Sequence, residues 1–189
     1  MIRIKQAPEH RQEFCTIAYL QHYMEQELLE RIADFICAVG ITVRYASLEP
    51  GTFLPGVDIR EGSIIVDRQQ LKYPGDLLHE AGHIASVPPG ERATLDAVSI
   101  GLRKDRAAEE MMAIAWSYAA CRHLGIDPAY VFHEEGYQGG GPQIAREFEA
   151  GRYFGVPMLQ WAGMTTEPRQ ATGAADAVYP AMRCWLRQQ

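Results

Sequence analysis

From Ile17 to Val39 the apolar residues Leu20, Met24, Leu28, Ile32, Phe35, Ile36 and Val39 recur at helical spacing, and Gly40 stands where such a helix stops. ITVRYAS (41–47) reads as a strand, and a turn-rich passage, LEPGTFLPG, follows it. VDIR (57–60) and SIIVD (63–67) flank Glu61-Gly62 in the pattern of a tight hairpin. Pro74-Gly75 then breaks the chain, and Asp76 is placed to cap a helix over LLHEAGHIA (77–85). The stretch from Val87 to Asp105 mixes proline, glycine and charge, which predicts a long connection with some local helix. Arg106 to Leu124 is a second strong helix ended by Gly125. Asp127-Pro128 has the form of an N-cap followed by proline at the first helical position. GYQGGGP (136–142) predicts a loop, Gln143 to Phe154 a helix, and Tyr179 to Leu186 one more short helix in an irregular tail. The pattern as a whole predicts one α+β domain of residues 1–189, with its core over about 17–124 and a C-terminal extension over 125–189.

A chain of 189 residues can bury a sizeable core, and 47% hydrophobic with 22% charged residues is ordinary for a globular domain. The net charge of −6 offers no electrostatic footprint for nucleic acid. The most apolar stretch, Met111 to Cys121, is too short to span a bilayer, so no membrane partner is expected. MIRIKQAPEHRQEF has no apolar h-region, and Cys15, Cys37, Cys121 and Cys184 are scattered without a CxxC pair. Reduced, packed thiols and a cytoplasmic location are the expectation.

The chemistry is concentrated in LLHEAGHIA. On a helix, residues four apart share a face, so His79 and His83 can turn a nitrogen toward one ion. Zinc accepts neutral imidazole, and three protein ligands leave one position open for water. Glu80 adjoins His79 without having to ligate, and can serve as the base for that water. Leu77, Leu78, Ala81, Ile84 and Ala85 make this helix apolar nearly all round, a setting in which three ionisable groups need compensation. Gly82, costly inside a helix, implies that another backbone passes close by.

Two histidines need a third donor. The spacing HExxHxxGxxH would require glycine and histidine where Ser86 and Pro89 stand, and a glutamate at the thermolysin-like spacing would fall on Leu102. Downstream donors are Glu91, Asp96, Asp105, Glu109, Glu110, His123 and His133, of which Glu109 and Glu110 alone lie inside a strongly apolar helix. The residues by themselves leave this adjacent pair open.

A helix, a strand and a hairpin leading into HExxH, then a second helix bearing glutamate, resembles the ImmA/IrrE-type metallo-endopeptidases, a gluzincin-like family. The resemblance covers roughly residues 20–122 and rests on IIVDRQQLKYPGDLLHEAGHIA and EMMAIAWSYAA. In that family an alanine typically lies three positions after the ligand glutamate, which fits Glu110 with Ala113, whereas Glu109 is followed by Met112. The resemblance therefore implies a zincin-like fold, Zn2+ held by His79, His83 and Glu110, Glu80 as general base, and a peptide or protein substrate. Ile114 departs from the asparagine usual at that place, and no helix-turn-helix partner segment is evident. The rival expectations are a non-catalytic zincin-fold binding or regulatory protein, and a metal hydrolase of a non-peptide amide.

His133 and Tyr137 are further candidates, as donors to a tetrahedral oxyanion. Trp116, Tyr118, Trp161 and Trp185 read as core, and Arg103-Lys104 as solvated charge.

Overall fold

The long first helix forms as the apolar spacing requires. In the computed structural model, which describes residues 9–173 and 176–189, α1 runs Glu9–Val39. Leu28, Leu29, Ile32, Ala33, Phe35 and Ile36 are buried, where the motif helix and the first strand meet this face. Leu20 and Met24, expected on the same stripe, are 52% and 65% exposed. The side chain of Cys15 lies outside those described; Cys37, Cys121 and Cys184 are free thiols.

Three short strands follow, β1 (Val43–Tyr45), β2 (Val57–Arg60) and β3 (Ser63–Val66), in the spatial order β1-β3-β2. β3 runs parallel to β1 and antiparallel to β2, with Ile59 opposite Ile64. All four residues of β3 are buried, as suits a strand covered on both faces. The hairpin turns at Glu61 and Gly62, with φ of 50° and 66°. Positive φ at both central residues matches the right-handed strand twist. β2 is left at the sheet edge.

The motif helix α2 (Asp76–Ser86) packs against α1, the sheet and, most extensively, α5 (Arg106–Leu124). Every residue from Met112 to Cys121 is buried, so α5 is apolar all round because it is enclosed all round. At the α2–α5 crossing a β-carbon on Gly82 would lie 2.8 Å from the Ala113 carbonyl oxygen, which is the close backbone approach that the mid-helix glycine implied. The connection between these helices carries two short ones, α3 (Pro89–Arg92) and α4 (Ala97–Leu102). An Asp96–Ser99 capping box starts α4, and none of its own residues is buried.

Beyond Gly125 a 3-10 turn at Pro128–Tyr130 uses Asp127 as its cap, and a second 3-10 turn at Tyr137–Gly139, α6 (Gly141–Glu149) and α7 (Val156–Trp161) follow. The helix expected to reach Phe154 ends at Glu149, and α7 was not foreseen. No helix forms over Tyr179 to Leu186. There the main chain bonds to other segments: Arg183 N–H donates to the Met164 carbonyl at 2.8 Å and Arg187 N–H to that of Ala85 at 3.0 Å. The extension completes the core, since Phe148, Val156, Leu159, Met164 and Tyr179 share one apolar cluster with α2 and α5. Trp116 and Tyr118 are buried and Trp185 is partly so, but Trp161 is 74% exposed beneath the Arg187 guanidinium, contrary to its expected core position. Among the described residues no helix is long and apolar enough to cross a membrane.

Candidate metal centre

α2 is a rigid platform because its apolar faces are wholly buried, and its remaining face opens on a cleft of about 710 Å³. His79 and His83 stand one turn apart on that face, with their Nε2 atoms 3.1 Å apart. Glu110, one turn into α5, brings Oε1 to 3.6 Å from His79 Nε2 and Oε2 to 3.3 Å from His83 Nε2. Donors about 2.0–2.1 Å from a zinc ion in tetrahedral array are separated by roughly 3.3 Å. The three observed separations lie within a few tenths of an ångström of that edge. Together these residues form a group that could hold a metal ion.

The electrostatics of the three groups fit the same use. Burial, then the charge of His83, brings the His79 pKa down to about 3 against the pull of Glu110, so His79 is a neutral imidazole with a free lone pair. At His83 burial also disfavours the charge, but the hydrogen bond to Glu110 and the charges of Glu80 and Glu110 outweigh it and raise the pKa. Burial works against the Glu110 carboxylate, while the His83 bond and both imidazoles hold its pKa below the ordinary value. A proton on His83 thus sits between two acceptors, His79 Nε2 and Glu110, where a cation would serve all three.

Glu80 lines the same cleft and lies outside that donor group. Burial raises its pKa to about 7; His83 opposes the shift, and Asp76 and Glu110 add to it. A carboxylate with that pKa is suited to exchange a proton near neutral pH.

Tyr137 packs against His79. Its hydroxyl lies 3.0 Å from His79 Nδ1, with the two rings edge to face at 5.3 Å. With Nε2 turned to an ion, the neutral imidazole carries its proton on Nδ1 and donates it to the phenol oxygen. The turn that delivers this side chain has left-handed backbone at two successive non-glycine residues, Tyr137 (φ 54°) and Gln138 (φ 57°). Each costs of order 1 kcal/mol or more, and such strain persists where the surroundings fix it.

His133 is likewise absorbed by the structure. Its Nε2 lies 3.0 Å from Asp76 Oδ1, its ring stacks on Tyr73 at 3.7 Å, and its Nδ1 is buried without a hydrogen-bond partner. Neither nitrogen is placed to donate to an oxygen in the cleft, so the expected oxyanion role has no support in this geometry. Asp76 was expected to cap α2. Gly75 holds the cap position instead, and the Asp76 carboxylate, buried as it is, goes to His133.

The alternative third donor, Glu109, is taken by another partner. Arg103 binds it through Nε at 2.6 Å and a terminal nitrogen at 2.7 Å, and also reaches Glu91 at 2.7 Å. Arg103 is therefore no solvated charge: it is the counter-ion that allows Glu109 to be buried at 8% exposure. That pair could not be read from the sequence, because its geometry depends on the α4–α5 connection. Arg106, also unremarked in the sequence, lines the cleft, and its position four residues before Glu110 was the available signal.

Comparison of the chain with family models, with curated proteins and with solved structures finds no match.

Proposed function

We propose that this protein is a zinc-dependent hydrolase of the HExxH type, acting on peptide bonds, with a zincin-like fold. The observation that carries this reading is the convergence of His79, His83 and Glu110 at tetrahedral edge lengths in the cleft that Glu80 lines. The cleft is open beside Glu80, as a substrate requires. The small mixed sheet, the motif helix and the glutamate-bearing helix suit the resemblance to ImmA/IrrE-type metallo-endopeptidases, and we assign the chain to that kind of enzyme on this basis.

His79 and His83 would hold zinc through Nε2 and Glu110 through its carboxylate. A zinc ion so bound supplies Lewis acidity, polarising a carbonyl and acidifying water. Glu80 takes the proton of the attacking water on its carboxylate and returns it to the departing amine, a double duty that its pKa of about 7 suits. Tyr137 fixes the His79 ring. Leu54, Val57, Ile59 and Ile100 give the same cleft apolar walls, against which an apolar side chain of the substrate can pack.

The test is metal analysis of the protein purified without added zinc, followed by digestion of a broad peptide library. One equivalent of metal and cleavage are expected in the wild type. Glu80→Gln should keep the metal and lose cleavage by two to four orders of magnitude, on the order of a general base's contribution. Absence of stoichiometric metal refutes the site. Metal without cleavage refutes the enzyme and favours a binding role.

A further inference from the structure

The walls of the cleft beyond the three donors indicate what the substrate carries. Its acidic groups are committed. Asp58 pairs with Arg60 at 2.8 Å, Asp76 with His133 at 3.0 Å, and Glu110 with both imidazoles. Glu80 is the base of the proposed reaction. Arg106 is the cleft's arginine, and among the described residues it forms no ion pair. Its one hydrogen bond there runs from a terminal nitrogen to the Gly101 carbonyl at 3.3 Å, which leaves four of five donors free. Glu110 lies four residues on, and its oxygens are turned to the histidines, so the usual i,i+4 ion pair does not form. That spacing sets the guanidinium's stem about 6 Å from that of a metal-binding residue. A guanidinium stays charged at any working pH, and its planar fork matches a carboxylate.

We propose that Arg106 determines specificity by binding a carboxylate of the substrate, about one helical turn from the metal centre. The carboxylate belongs either to the end of a peptide chain or to an acidic side chain close to the scissile bond. The apolar walls take the neighbouring uncharged side chain, for which Leu54, Ile59 and Ile100 provide surface. This inference rests on the metallohydrolase reading, and binding measurements separate the two.

The experiment titrates zinc-loaded protein calorimetrically with three peptide hydroxamates that share one apolar side chain. One ends in a free carboxylate, one is amidated and carries glutamate, and one is amidated and carries glutamine. In the wild type one of the two anionic probes should bind about tenfold more tightly than the neutral one, equivalent to about 1.4 kcal/mol. Which probe it is distinguishes a chain end from a side chain. Arg106→Gln should abolish the difference and leave the neutral probe's affinity unchanged, and Arg106→Lys should keep part of it. A purely structural role, such as tethering Gly101, would weaken all three probes alike and overturns the assignment. Equal affinities in the wild type overturn it as well, with the metal reading intact. Failure of every hydroxamate to bind, together with absence of bound zinc, overturns the metal reading and this inference with it.

Discussion

Replacing Gly82 with alanine should loosen both the fold and the site, although alanine is the better helix former. Taken alone, the exchange inside α2 gains about 1 kcal/mol of helix propensity. The added methyl carbon would meet the Ala113 carbonyl oxygen at 2.8 Å and its Cα at 2.9 Å, whereas ordinary contact begins at 3.4 Å. The obstacle is backbone within the buried stretch of α5, Met112 to Cys121, so no flexible side chain can give way. α2 and α5 must separate by about 0.6 Å, or the methyl must be accommodated by strain. Overpacking of this kind costs about 1–3 kcal/mol, which offsets the propensity gain and predicts a net loss of up to about 2 kcal/mol. The same separation moves Glu110 away from His79 and His83, while zinc sites tolerate only about 0.2 Å in ligand distance. Urea denaturation of the metal-free protein should show the lower midpoint, and competition against a zinc-chelating dye should show affinity reduced at least about tenfold. An alanine variant as stable as the wild type, with undiminished zinc affinity, would refute the close-packed crossing as the device that sets the ligand geometry.

The raised pKa of Glu80 makes metal-free stability depend on pH. The folded protein keeps this proton up to about pH 7 while the unfolded chain loses it near 4.5, so stability present below pH 4.5 is lost as pH rises through 7. The shift corresponds to roughly 3 kcal/mol at most, and Glu80→Gln should flatten that slope in urea midpoints compared at pH 5 and pH 8. Tyr137→Phe should weaken zinc binding by about 10–100-fold in dye competition, with little change in the unfolding midpoint, because it removes the partner of His79 Nδ1. Glu109→Gln should leave zinc affinity intact and cost about 2 kcal/mol in denaturation. That is less than the roughly 3–5 typical of a broken buried pair, since Arg103 keeps Glu91. Glu110→Gln should do the reverse, and if both variants bind zinc equally the ligand assignment is wrong.

Local pattern carried much of this protein. The Glu61-Gly62 hairpin and the limits of α5 at Arg106 and Leu124 are each set by residues near in sequence, and each is where the pattern placed it, while α1 forms as expected but starts at Glu9 and leaves Leu20 and Met24 of its stripe exposed. The C-terminal region was less legible because its backbone bonds are long-range. Arg183 and Arg187 donate to Met164 and Ala85, and no periodicity within residues 179–186 records those partners. Asp76 shows the same limit, since a cap and a partner for His133 call for the same residue type, and only the position of the Tyr73–His133 stack decides between them.

The sequence by itself determined that His79 and His83 share one helical face, because four residues make about one turn. It also determined that something must approach Gly82. The residues alone left Glu109 and Glu110 open, the family resemblance pointed to Glu110, and the tertiary structure groups Glu110 with the two histidines. Glu109 and Glu110 are adjacent on α5, so their side chains diverge by about 100° around its axis. The packing of α5 on α2 through Gly82 and Ala113 turns Glu110 to the histidines, and the fold of the connection brings Arg103 to Glu109. That choice rests on the rotation of one helix against another, which the order of residues within either helix does not specify.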